Sequence, residues 1–342
     1  MTPSIRTCLP MLLMLLMAGA PVLATEAPWQ LQLRERLAQI MGPLPVSKAS
    51  TPLEVQTELV EDLGGFERRR ISYQSEPGGR VPAYLLIPKA ALAPAARRTF
   101  PAVLALHQTH PAGSKVVVGL GNSPDDEYGV ELVRRGYVVL APPYPWLAEY
   151  EPDLKGLGYD SGTMKAIWDN VRGLDLLASL PFVSSERGFG CIGHSLGGHN
   201  GLFTAAWDPR ITVVVTSCGF DSFRDYYDGD PKVWMPEKGW CQSRYMPRLL
   251  AHREDLSGLP FDFPDVLALI APRRVVVSAP IGDSNFRWRS VDRVVTAARW
   301  KTASEGVISH ITVLHPNAPH RFPPAQREQA YRVLDRVLRP TP

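Results

Sequence analysis

Cysteine is scarce in this chain, with four residues in 342. Cys8 precedes the N-terminal apolar run, so the body of the chain holds Cys191, Cys218 and Cys241. An odd number excludes a fully paired disulfide framework. Cys191 sits inside an apolar run and reads as a buried thiol, whereas Cys218 and Cys241 could pair in an oxidising compartment. Charge of one sign is also missing. The net charge is +3 and Lys and Arg form no basic stripe, so no nucleic-acid partner is implied. The densest run, Glu67-Arg68-Arg69-Arg70, adjoins a strand-like stretch and reads as a solvated strand face. Neither H-E-x-x-H nor zinc-spaced His and Cys pairs occur, and G-x-x-x-x-G-K-[ST] is absent, so no metal and no cofactor are expected. Internal repeats and low-complexity tracts are lacking too.

Long hydrophobic runs are confined to the N-terminus. Arg6 precedes an apolar run from Leu9 to Ala20, followed by Pro21 and Val22-Leu23-Ala24. This is the pattern of a secretory signal peptide over 1–24, cut after Ala24, and it predicts a secreted or periplasmic protein. The run is too short for a spanning helix, which needs about 20 apolar residues, so no stable membrane insertion is expected after cleavage. Residues 25–54 read as an N-terminal helix and linker. Trp29, Leu33, Leu37 and Ile40 recur at helical spacing, and Pro and Ser populate 42–52. Residues 55–342 read as a single folded unit.

That unit alternates. Strand-like runs near 66–74 and 81–88 flank the turn signal Pro77-Gly78-Gly79. Short β-branched runs follow at Ala102–Leu106, Tyr137–Ala141, Gly188–Gly193, Ile211–Ser217, Arg274–Ala279 and Ile311–Leu314. Helical patterns lie at 126–135, 163–179 and 324–338. The alternation predicts an α/β fold with a mostly parallel central sheet flanked by helices and antiparallel additions at one edge. An aromatic-rich insertion at about 220–262, after the sixth strand, breaks the rhythm. It reads as a lid, because long insertions in compact domains are usually functional.

One glycine-rich stretch carries chemistry. Gly193-His194-Ser195-Leu196-Gly197 places a serine between an apolar strand and a helix start, where a tight turn lifts its hydroxyl above the sheet. Such a serine needs a base. His320, in the loop after the last strand, is the first choice and His315, ending that strand, the second. His310 lies at the wrong end of the strand, and His194 and His199 are too close in sequence to fold back. The base needs an acid. Asp283, after strand 274–279, is preferred, with Asp221 as the alternative. Backbone N–H groups must meet the oxyanion: one from Leu196, the other from Gln108 or Thr109 in the loop after strand 102–106. His107, Tyr226, Tyr227 and Trp234 are candidates for substrate contact.

The motifs "LALHQTH", "GHSLGG", "GDSNF" and "PNAPHRFP", in this order over roughly residues 55–340, resemble the α/β-hydrolase superfamily. Within it the chain is most similar to the branch of dienelactone hydrolases and acetyl-xylan esterases. The resemblance implies an α/β-hydrolase catalytic domain over 55–342 and a Ser195–His320–Asp283 triad. Many relatives carry His-Gly where this chain has His107-Gln108, and dienelactone hydrolases proper use a cysteine nucleophile, which favours an esterase. The expected reaction is hydrolysis of a small-molecule carboxylic ester through an acyl-enzyme. A serine peptidase of the prolyl-oligopeptidase type and a non-catalytic hydrolase-fold binding protein are the alternatives.

Overall fold

The computed structural model of the protein describes residues 26–121 and 123–339; the predicted leader, 1–24, lies outside the described residues. The N-terminal helix forms where its spacing predicts, as α1 over Pro28–Met41. Proline stands at its first turn, and Leu33, Leu37, Ile40 and Met41 face the core. It stops at Gly42, whose φ of 85° suits glycine.

Strand β1 spans Gln56–Asp62, β2 Phe66–Glu76 and β3 Gly79–Pro88, joined as an antiparallel meander. Beyond them lie β4 (Ala102–Leu106), β5 (Val138–Ala141), β6 (Phe189–His194), β7 (Ile211–Ser217), β8 (Arg274–Ser278) and β9 (His310–Leu314). The nine described strands form one sheet in the order β1-β2-β3-β5-β4-β6-β7-β8-β9. Strand β3 pairs antiparallel with β5, and from β5 to β9 every pairing is parallel. The chain leaves β4 toward β5 but returns to β6 on the other side of β4. In open parallel sheets such a reversal opens a crevice at the carboxyl ends of the strands.

Alternation along the strands divides the core in two. Ala102, Leu104 and Leu106 face α1, α3 (Gly162–Ser179), α4 (Leu196–Trp207), α5 (Phe263–Ile270) and α6 (Trp288–Ser304). Val103 and Ala105 face α2 (Tyr128–Arg134) and α7 (Pro324–Leu338). Strands buried on both faces read as continuous apolar runs, which is why β4 to β8 are visible in the sequence. Strand β1 is not visible, because nearly all its residues are exposed and no apolar alternation marks it. With β1 counted, the aromatic insertion follows the seventh strand, not the sixth. The Arg68-Arg69-Arg70 run is also less solvated than expected. Arg68 is buried, donates to the Glu61 carboxylate and the Val118 carbonyl, and ties β2 to β1 and to the turn after β4.

A charged knot locks the meander to α3. Lys165, fully buried on α3, meets Glu76 Oε1 at 2.9 Å and Ser75 Oγ at 3.1 Å and also pairs with Asp169 one turn on. Tyr159 donates to Glu76 at 2.6 Å and Tyr150 to Asp169 at 2.7 Å. Burial holds the Asp169 carboxyl above its ordinary value, against the pull of Lys165. Removing one partner of such a set leaves an uncompensated buried charge. Lys165→Met is therefore expected to cost about 3–5 kcal/mol at neutral pH. Urea unfolding should show the deficit shrinking on acidification, as one of the two orphaned carboxyls takes up a proton.

Candidate active site

Ser195 joins β6 to α4 with φ 50° and ψ −121°, a left-handed conformation that an L-residue adopts only under constraint. Glycines make the turn possible. A Cβ on Gly193 would lie 2.2 Å from the carbonyl carbon of Gly197, and one on Gly197 would lie 1.9 Å from the Leu106 carbonyl oxygen. The first turn of α4 thus rests directly on the backbone end of β4. Ser195 N–H donates to the Ser217 carbonyl at 2.7 Å, tying the turn to β7. Leu196 is the first helical residue, so its N–H has no partner within the helix and is free for an anion.

The Ser195 hydroxyl lies 2.9 Å from His320 Nε2, and His320 Nδ1 lies 3.0 Å from both oxygens of Asp283. Asp283 and His320 sit on neighbouring loops that are zipped by backbone bonds. Ala279 N–H donates to Leu314 O at 2.9 Å, Ile281 to Pro316 at 2.9 Å and Gly282 to Ala318 at 3.0 Å. Asp283 Oδ1 also accepts the N–H groups of Asn285 at 2.8 Å and Phe286 at 3.1 Å. Burial disfavours the Asp283 carboxylate, but His320 and these two donors outweigh it and hold the carboxyl below its ordinary value. The carboxylate therefore stays charged, fixes the proton of His320 on Nδ1 and leaves Nε2 as an acceptor for Ser195.

The competing residues are engaged elsewhere. His315 Nδ1 donates to the Ala279 carbonyl at 2.8 Å, and its Nε2 faces Asp292 at 3.1 Å. His310 opens β9 at the far end of the sheet from Ser195. Burial pushes His194 down to about 3 and His199 likewise to about 3, so both rings are neutral. His194 flanks His320 at 4.9 Å between ring centroids, and His199 stacks on Trp240 at 4.1 Å. Asp221 is buried and accepts one N–H, from Arg287 at 3.2 Å. Burial, with the charges of Asp225, Asp262 and Asp283, pushes its carboxyl up to about 8. It is a neutral acid and does not hold His320.

The loop after β4 brings Gln108 and Thr109 to the same rim. Thr109 Oγ1 lies 3.5 Å from Tyr245 OH, and the buried Gln108 Oε1 has no protein partner. His107, expected to touch substrate, does not face the crevice. It is buried, and its Nε2 accepts the Tyr144 N–H at 2.9 Å while Nδ1 donates to the Gln108 carbonyl at 2.7 Å. Burial lowers it to about 4, so it stays neutral and shapes the loop from below.

The insertion is a packed cap and not a loose flap. Turns and short helical segments succeed one another along it and carry Phe223, Trp234, Trp240 and Tyr245 into the core. Trp234 is 1% exposed and packs edge-on against Phe223 at 5.9 Å, so its proposed substrate contact is not supported. Tyr226 packs on Phe286 at 5.8 Å, and Phe286 lies 5.9 Å from His320. Tyr227 is exposed, edge-on to Tyr226 at 4.7 Å. Trp240, Tyr245 and Phe286, which the sequence reading did not single out as site residues, connect the Thr109 rim to His320. Trp240 lies 5.2 Å from Tyr245 and 6.3 Å from Phe286. Phe286, three residues after Asp283, was the one within reach of sequence reasoning. Cys218 and Cys241 are separate buried thiols and form no disulfide; Cys191 is free as well.

No family model matches the chain. Its sequence is 25% identical, over 316 residues, to YtaP of Bacillus subtilis (strain 168), which is provisionally described as a hydrolase. The match covers 89% of this chain and 98% of YtaP. Among solved structures, a glucuronoyl esterase from Solibacter usitatus superposes with TM-score 0.68 at 16% identity, covering 90% of this chain and 91% of that one. An acetyl xylan esterase from Paenibacillus sp. R4 gives 0.62 at 17% identity, covering 93% and 97%.

Two outcomes follow from this geometry. Gly197→Ala forces a methyl group into the Leu106 carbonyl and shifts the turn, so any activity of Ser195 should fall by at least ~100-fold in kcat/KM, read in steady-state kinetics. Asp221 keeps its proton to about pH 8 when folded, against about 4 when unfolded. The folded state thus binds the extra proton between these values, and its contribution to stability is lost as pH rises through them. Asp221→Asn should gain stability relative to the parent from about pH 4 to 8, measured by denaturant unfolding at each pH.

Proposed function

We propose, from the α/β-hydrolase fold that this chain has, that it is a serine esterase acting on small carboxylic esters. The observation that carries the reading is the continuous chain from the Ser195 hydroxyl through His320 to Asp283, at 2.9 and 3.0 Å. In this reading His320 Nε2 takes the Ser195 proton as Oγ attacks the ester carbonyl, and Asp283 stabilises the imidazolium. The N–H of Leu196 and one from the Gln108–Thr109 loop receive the oxyanion. His320 then gives its proton to the departing alcohol. Water, deprotonated by the same nitrogen, releases the acid from Ser195. His194, being neutral, adds no positive charge beside His320.

Acetyl xylan esterase and glucuronoyl esterase are the names of the solved neighbours, which supports an ester over an amide. Tyr226, Phe286 and Trp240 would form the wall against which the acyl or alcohol group lies. We further propose export, on the strength of the leader-like pattern at 1–24. No helix among the described residues is long and apolar enough to cross a membrane.

A series of p-nitrophenyl esters of increasing acyl length, run beside an aminoacyl p-nitroanilide, tests the reading. Ester turnover is expected, with Ser195→Ala lowering kcat by about 10⁶-fold. Asp283→Asn should lower it by about 10⁴-fold, whereas Asp221→Asn should stay within about tenfold of the parent, because the amide replaces an acid that is already neutral. Ester hydrolysis that survives Ser195→Ala would overturn the mechanism. Cleavage of the anilide alone would move the chain to the peptidases. No turnover, together with no labelling by a fluorophosphonate, would leave a binding protein.

A further inference from the structure

Cys218 directly follows β7 with φ 49°, a left-handed conformation rare for a side-chain-bearing residue. Its N–H donates to the Ser278 carbonyl at 2.9 Å, which fixes the turn. The thiol, 3% exposed, is directed toward the His320 loop, 3.6 Å from the Arg321 carbonyl. The Cys218 sulfur, an Asp283 oxygen and a His320 ring nitrogen all lie within 4.8 Å of one another. Among the described residues this is the one such group of three metal-ligating types. Because His320 Nε2 faces Ser195, the nitrogen available to the group is Nδ1, 3.0 Å from both carboxylate oxygens.

We propose that Cys218, Asp283 and His320 bind a soft divalent cation, zinc or cadmium, and that its binding switches off Ser195. Nitrogen and oxygen ligands at about 2.0–2.2 Å around a tetrahedral zinc stand about 3.3 Å apart. The His320–Asp283 pair need open by only a few tenths of an ångström to admit the ion. A thiolate at about 2.3 Å from zinc lies about 3.6 Å from its fellow ligands, so with all three ligand atoms within 4.8 Å of one another the sulfur moves inward by at most about 1.2 Å. Water or the second Asp283 oxygen completes the shell. Sulfur and imidazole select zinc or cadmium, whereas magnesium and calcium prefer oxygen alone.

The step balances without an oxidant. The thiol releases its proton to solvent as the metal–sulfur bond forms. The metal takes the Nδ1 lone pair, and the neutral ring carries its single proton on Nε2 instead. Ser195 then faces an N–H donor and has no base. Binding follows from the three ligands alone; only the loss of activity rests on the esterase reading.

The two are tested separately. In Ser195→Ala protein, cadmium should produce the ultraviolet thiolate-to-cadmium charge-transfer band, and the band should vanish in the Ser195→Ala/Cys218→Ala double variant, which retains Cys191 and Cys241. In the parent protein, zinc or cadmium should inhibit ester hydrolysis reversibly on chelation and magnesium should not. In Cys218→Ala the inhibition constant should rise by at least ~100-fold. A band that persists in the double variant, no band in Ser195→Ala, or equal inhibition of parent and Cys218→Ala overturns the proposal. Should no ester be turned over at all, the spectral arm still decides the site, and the failure falls on the esterase reading.

Discussion

The inner face of the first turn of α4 has no room for side chains, and that constraint organises everything near Ser195. Gly193, Gly197 and Gly198 let the helix descend onto the ends of β4, β6 and β7 until backbone meets backbone. Gly219 serves the same approach from the other side, since a Cβ there would lie 2.8 Å from the Gly198 carbonyl carbon. Because the helix cannot back away, Ser195 has to turn through a left-handed conformation to connect it to β6. A strained φ costs of order 1–3 kcal/mol, and the Ser195–Ser217 bond together with the packing of an almost wholly buried α4 offsets it. The same descent leaves the unpaired N–H of Leu196 and the loop after β4 on one rim. Hydroxyl, helix end and rim are thus one geometric consequence of small residues in a row.

Asp283 and His320 depend on a second device. Backbone bonds between the β8 and β9 loops set Asp283 and His320 relative to each other before either side chain contributes. Environment then separates the two nearby carboxyls. Asp283 gathers an imidazole and two N–H groups, and it ionises readily. Asp221, nearby and comparably buried, gathers one N–H and three other carboxylates, and it holds its proton. The chemical difference between two aspartates lies in the donors around them, not in how deeply they are buried.

Much of this was legible in the residues. The parallel strands announced themselves because burial on both faces leaves uninterrupted apolar runs, and the Ser195, Asp283 and His320 positions followed from which strand ends they occupy. What stayed hidden has physical reasons. The exposed β1 carries no periodic signal. The role of His107 is set by Tyr144, 37 residues away, whose N–H claims its nitrogen. Trp234 looked like a pocket residue because aromatic insertions often line pockets, but the insertion folds inward and buries it among other rings. Long-range pairing and the direction in which an insertion folds are tertiary facts with no local trace. The Arg68 knot is another: its guanidinium is buried only because β1 and the Val118 turn close over it.

The order of these parts along the chain has a consequence for biogenesis. Ser195 and its glycine turn are synthesised 125 residues before His320, and the loop bearing His320 is held in place by α7, which buries Tyr331, Leu334 and Leu338 under the sheet. Without that docked helix the His320 loop loses its support. Under the proposed reading, a molecule clipped before its final helix is chemically silent, although Ser195 and its glycine turn are intact in its sequence.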